Sequence, residues 1–101
     1  MLVVHASFPV DPDQREAALE TIRDLAEQSR AEDGMIDYRA ATDVDDENVV
    51  RFFEQYEDEE AFAAHTQTDH FREFQVALGD WLAGDPEITR FEVDSATELE
   101  L

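Results

Sequence analysis

The sequence predicts an α+β domain with the ferredoxin-like order β-α-β-β-α-β, helices on one face of an antiparallel sheet. Three observations lead there. Apolar residues alternate with period two in four short runs and recur at three and four in two longer ones. The longer runs are bounded by helix-start and helix-stop residues. At 101 residues the chain, 1–101, has room for one such domain, with a core of adequate size without disulfides.

Leu2 to Phe8 reads as the first strand, apolar on both sides of its alternation, with His5 inside it. Asp11-Pro12-Asp13-Gln14 opens the first helix. Asp11 is the N-cap, Pro12 takes the first helical position, and Gln14 is placed to reach back as in a capping box. The helix runs to about Arg30, with Ala18, Ile22, Leu25, Ala26 and Ser29 as its inner stripe, and Gly34 stops it. Met35 to Thr42 forms the second strand, with Met35, Asp37 and Arg39 on one side and Ile36, Tyr38 and Ala40 on the other. The acidic loop from Asp43 to Asn48 makes a hairpin with the third strand, Val49 to Glu57. That loop lacks the glycine and the twelfth-position glutamate of an EF-hand, so calcium is not expected there.

Within the third strand Phe52, Glu54 and Tyr56 alternate with Phe53 and Gln55. Asp58 then caps a short helix whose Ala61, Phe62 and His65 share a face. Thr66 to Asp69 interrupts it, and Thr68 caps the next helix, where Phe71, Phe74, Gln75, Leu78, Trp81 and Leu82 form the apolar side. Gly84-Asp85-Pro86 ends that helix, and Ile88 to Val93 makes the last strand. The tail from Ser95 to Leu101 alternates leucine with glutamate and either extends the strand or reaches a partner.

Charge narrows the class of partner. Twenty-seven acidic residues face seven basic ones, all arginine, for a net charge of −20, which excludes nucleic acid. Such a surface repels itself in low salt and is screened in molar salt, as in salt-adapted proteins. Without cysteine there is no thiol chemistry or thiolate metal site. MLVVHASF is no signal-peptide core and no apolar run approaches ~20 residues, so a cytoplasmic protein without membrane contact is expected. Strands apolar on both faces need more cover than one helical layer provides, which predicts a symmetric homodimer.

Two of the three histidines, His65 and His70, are five apart, about 140° around an uninterrupted helix, so they converge only through the break between the helices. Given the break, both can point to the sheet near Glu54 or Tyr56, as a base or as hydrogen-bond donors. The competing use is to cap helix ends. A zinc site of His65, His70 and Glu54 is disfavoured, because the spacing is not H-E-x-x-H and only the distant His5 is left as a fourth ligand. Phe52, Phe53, Phe62, Phe71, Phe74 and Trp81 form an aromatic-rich group, most of it core, from which Phe62, Phe71, Phe74 and Trp81 are the candidates to line a flat substrate pocket. Arg39 is placed to pair with Glu54 across adjacent strands or to hold an anionic substrate.

The run E-x-Y, an acidic turn, A-F-x-x-H, three residues and then T-D-H-F, from Phe52 to Phe74, resembles the signature of antibiotic-biosynthesis-monooxygenase-like proteins. These are small dimeric α/β barrels that include cofactor-free quinol and polyketide monooxygenases. Asp69 stands where such sequences often carry proline, and either residue suits a first helical turn. The resemblance implies a homodimer of two packed sheets, no cofactor, and a small phenolic or quinol substrate oxidised by dioxygen. It implies His65 or His70 as base, Glu54 as its orienting partner, and Tyr56 and Tyr38 as donors to substrate oxygen. Haem-degrading relatives need an asparagine, a tryptophan and a ligating histidine where this chain has Ser7 or Ala6, His65 and Gln75, so haem is disfavoured. Relatives that isomerise a phosphorylated signalling sugar, and barrels without turnover, supply the alternative functions.

Overall fold

The computed structural model describes residues 1–101. Its elements are β1 (Leu2–Pro9), a 3-10 turn (Pro12–Gln14), α1 (Arg15–Arg30), β2 (Met35–Thr42), β3 (Val49–Tyr56), α2 (Glu59–His65), α3 (Asp69–Trp81) and β4 (Glu87–Glu92). The antiparallel sheet has the order β2-β3-β1-β4, the ferredoxin-like topology the element order predicts.

One face of the sheet carries the core. Leu2, Val4, Ala6 and Phe8 from β1 and Val50, Phe52, Glu54 and Tyr56 from β3 are buried on it. Against them lie the stripe Ala18, Ile22, Leu25, Ala26 and Ser29 of α1, all buried as its spacing requires, and Phe74 and Trp81 of α3. Phe52 meets both Phe8 and Phe74 edge to face, at 5.4 and 5.8 Å between centroids. Such ring pairs contribute about 0.5–1.5 kcal/mol each beyond their burial.

The helix ends follow the local chemistry with one departure. Asp58 accepts from the Ala61 N–H at 2.9 Å and Thr68 from that of Phe71 at 3.2 Å, so both expected caps form. Asp11 accepts from Asp13, but the chain first makes a 3-10 turn. There the Gln14 backbone N–H bonds to the Asp11 carbonyl, in place of a side-chain capping box. Gly34 adopts φ 79°, and a Cβ there would stand 2.6 Å from the Ala61 Cβ. Only glycine meets both conditions.

Two further details differ from the sequence pattern. A register shift between Met35 and Asp37 sets Met35 opposite Tyr56 and so turns it onto the core face with Tyr38; a bulge changes the parity that simple alternation predicts. β4 runs one residue earlier than expected, and the tail after it is exposed and forms no strand. The outer face of the sheet stays partly bare: Phe53 is 42% and Phe91 48% exposed. No helix is long and apolar enough to cross a membrane.

Candidate active site

Between the core face of the sheet and helices α2 and α3 lies a cavity of about 300 Å³. Ten of its sixteen lining residues are hydrophobic, so each polar group in the wall has a large say in how a ligand sits. The wall includes Glu54, His65, Tyr38, Phe62, Phe71 and Phe74.

The break between α2 and α3 builds the histidine pair. α2 ends at His65, whose carbonyl accepts from the Thr68 hydroxyl at 2.7 Å while the same hydroxyl caps α3. The change of axis lets two side chains five residues apart converge. They meet on Glu32: one carboxylate oxygen, Oε2, lies 2.8 Å from His65 Nδ1 and 2.6 Å from His70 Nε2. Glu54 is therefore not the carboxylate that orients the histidines. It accepts instead from the Tyr56 hydroxyl at 2.5 Å.

Glu32 sets the chemistry of His65. A carboxylate accepts hydrogen bonds, so the Nδ1 of a neutral His65 carries the proton and Nε2 keeps its lone pair. Nε2 is buried and has no hydrogen-bond partner. Burial pushes the His65 pKa below its usual value, with Glu32 opposing through a hydrogen bond and its charge. The ring is fixed between Tyr38 at 5.3 Å, Tyr56 at 5.7 Å and Phe71 at 5.1 Å between centroids.

Glu54 is pushed up to about 7, chiefly by burial and further by the charge of Glu32, against the Tyr56 hydrogen bond that lowers it. Burial, then the Glu54 charge, raises the Tyr38 and Tyr56 phenols well above their ordinary value, so both remain protonated donors.

Other anticipated residues sit elsewhere. Arg39 is directly opposite Phe53, not Glu54, and so lies on the outer face, where it binds Asp37 at 3.0 Å. A one-residue offset in a strand reverses the face of a side chain. Trp81 packs in the core against Phe74 and is not part of the cavity wall. Tyr56 is fully buried behind Glu54. His70 borders a different, polar groove with Asp24 and Glu73.

Two functional candidates escape sequence reasoning, Glu32 and Arg90. Glu32 is 33 residues from His65, and no local spacing joins them. A signal did exist: an acid just past the end of α1 faces the negative end of the helix dipole, an unfavourable place for a carboxylate without a partner. Arg90 on β4 enters the wall only through the sheet register.

Glu32, His65 and His70 also bring three metal-binding atoms within 4.8 Å of one another. Their N···O separations of 2.8 and 2.6 Å are hydrogen-bond distances. Tetrahedral zinc with bonds of ~2.0–2.2 Å would set its ligand atoms ~3.3 Å apart. As arranged, the trio is a hydrogen-bonded network.

Comparison with known proteins agrees with this architecture. Residues 1–77 match the family described as antibiotic biosynthesis monooxygenase. A putative monooxygenase of Bacillus subtilis, YcnE, is 37% identical over 86 residues, 85% of this chain and 90% of its own. Among solved structures, a putative antibiotic biosynthesis monooxygenase from Nitrosomonas europaea superposes with TM-score 0.88 at 26% identity, covering 94% of this chain and 100% of the other. PA3566 from Pseudomonas aeruginosa gives 0.85 at 28% identity, covering 93% and 94%. By sequence and by fold, this chain belongs to the antibiotic biosynthesis monooxygenase family.

Proposed function

We propose that the chain is a monooxygenase without a bound cofactor, acting on a phenolic or quinol substrate, with His65 as its base. The observation that carries this reading is the Nε2 lone pair of His65, buried, unpartnered and held in one tautomer by Glu32. Of the two histidines, His65 alone borders the apolar cavity. His70 is a positioning residue that shares Glu32.

In the reaction His65 Nε2 takes the phenolic proton, leaving an electron-rich anion in a water-poor cavity. The anion passes one electron to dioxygen, and the resulting radicals join through a new C–O bond. The peroxide oxygen recovers the proton from His65. The hydroperoxide then loses water, its O–O bond breaking as the carbon gives up its hydrogen, so that one oxygen atom remains as a quinone carbonyl and the other leaves as water. Glu54, poised near neutral pH, and the Tyr38 phenol orient the substrate oxygens, while Phe62, Phe71 and Phe74 hold the ring plane.

Oxygen uptake on a panel of hydroquinones, with a chelator present and no flavin or haem absorbance, tests the reading. Uptake with carbonyl product supports it, and tight binding without turnover would make the chain a ligand-binding barrel. The sugar-phosphate isomerase alternative has little support in a cavity with a single guanidinium.

The bare outer face, with Phe53 and Phe91 exposed, is assigned to a second copy of the chain. Light scattering in molar potassium chloride, where the Debye length is ~3 Å, should report twice 11.6 kDa. A monomer at micromolar concentration rejects the dimer.

A further inference from the structure

The cavity has a second polar end that the proposed chemistry leaves unused. Arg90 is the only lysine or arginine in its wall. The sheet register sets Tyr38 opposite Glu54, Glu54 opposite Val4, and Val4 opposite Arg90. Arg90 thus stands two strands from Glu54, roughly 10 Å at the spacing of neighbouring strands, with an apolar valine between them. His65 packs on Tyr38, on the other side of Glu54. Base and guanidinium therefore border the cavity at opposite ends of the same sheet face, His65 toward β2 and Arg90 on β4.

The guanidinium is oriented and underused. It lies 5.6 Å from the centroid of the Phe62 ring, a cation–π contact with a residue of the same wall. Its Nη2 donates to both carboxylate oxygens of Glu59 at 2.6 Å and lies 3.6 Å from a carboxylate oxygen of the exposed Glu92, while Nε and Nη1 make no hydrogen bond. The Glu59 side chain is 65% exposed, so it can return to water at little cost. A net charge of −20 repels anions at long range. An anion that reaches this cavity must then be held by short, paired hydrogen bonds, which a guanidinium offers a carboxylate better than any other side chain.

We propose that the substrate is an elongated aromatic alcohol bearing a carboxylate at the end remote from its reacting hydroxyl, and that Arg90 takes that carboxylate in exchange for Glu59. This rests on the oxygenase reading of the cavity and names the substrate class for it.

The test is binding, read by fluorescence titration with a matched pair of probes, 2-naphthol and 6-hydroxy-2-naphthoate. The wild-type protein should bind the carboxylate about 10- to 100-fold more tightly, the range for a charge-assisted hydrogen-bonded pair. Arg90→Gln should abolish that preference and leave 2-naphthol binding within about two-fold. Glu59→Gln, which removes the nearer of the two competing carboxylates and leaves Glu92, should tighten the naphthoate alone. Equal or weaker wild-type binding of the naphthoate overturns the proposal, as does a preference that survives Arg90→Gln; Arg90 is then only an ion-pair partner on an edge strand. Because no turnover is needed, the preference without oxygen uptake on any hydroquinone rejects the oxygenase and keeps the anion site. Oxygen uptake without the preference does the reverse.

Discussion

The two ends of the cavity are built differently. At the β2–β3 end, His65 is 1% exposed, wedged among aromatic rings and tied to a carboxylate from another element. At the β4 end every strand residue is exposed, β4 pairs only with β1, and Arg90 is held by two surface glutamates, Glu59 and Glu92. A proton-transfer group must be fixed to a fraction of an ångström in one tautomer, which only a packed, hydrogen-bonded setting achieves. A group that admits and selects a ligand has to exchange partners, and an exposed edge permits that. On the reading proposed above, the buried end carries the chemistry and the open end the access.

The largest expected effect is at the buried end. His65→Gln should retain the fold and cut turnover by about 10²- to 10⁴-fold, the usual range for loss of a general base, whereas His70→Gln should cost under about ten-fold. Stopped-flow oxygen uptake with both variants decides it; equal losses would dissolve the distinction between base and positioning residue. The base acts when neutral, so the rate should fall as pH drops through the His65 pKa. That limb should lie below 6.5, since burial lowers the value. A limb above 6.5 would mean that Glu32 outweighs burial.

Gly34→Ala tests the turn that delivers Glu32. Positive φ and the close approach to Ala61 should together cost about 2–4 kcal/mol in chemical denaturation. A loss below about 1 kcal/mol would mean that this turn yields readily.

Glu54→Gln should give a smaller effect whose sign depends on pH. The folded pKa of about 7 exceeds the unfolded 4.5, so the stabilising contribution of Glu54 is full below 4.5 and lost as pH rises through 7. Glutamine, uncharged and still able to accept from Tyr56, should gain about 1–3 kcal/mol over the wild type at pH 8 and nothing at pH 4. His65 works in the opposite sense: its folded pKa is lowered, so its contribution is full above 6.5 and lost as pH falls through the folded value. Thermal melts of both Gln variants across pH 4 to 8 separate the two; parallel curves would place neither group in the buried end's electrostatics.

The smallest effect belongs to the open end. Ile88→Ala, at a residue 62% exposed, should change stability by less than about 0.5 kcal/mol. A loss above about 2 kcal/mol would show β4 to be as firmly packed as β3.

Element order, the inner stripe of α1, both side-chain caps of α2 and α3 and the break between them were legible in the sequence by itself. Each depends on contacts within a few residues, where periodicity and capping chemistry act directly. The need for a break before His65 and His70 could meet was equally a local matter, a consequence of 3.6 residues per turn. Tertiary structure alone decided what they meet. Glu32 replaced Glu54 as their partner because the turn at Gly34, seated against α2, carries the end of α1 to the break. It also turned Arg39 outward, since strand register and not the identity of neighbouring residues sets which side chains face each other across a sheet. Arg90 entered the cavity wall by the same rule: pairing of β4 with β1 is a long-range event, and no spacing along the chain encodes which residue it sets beside Val4.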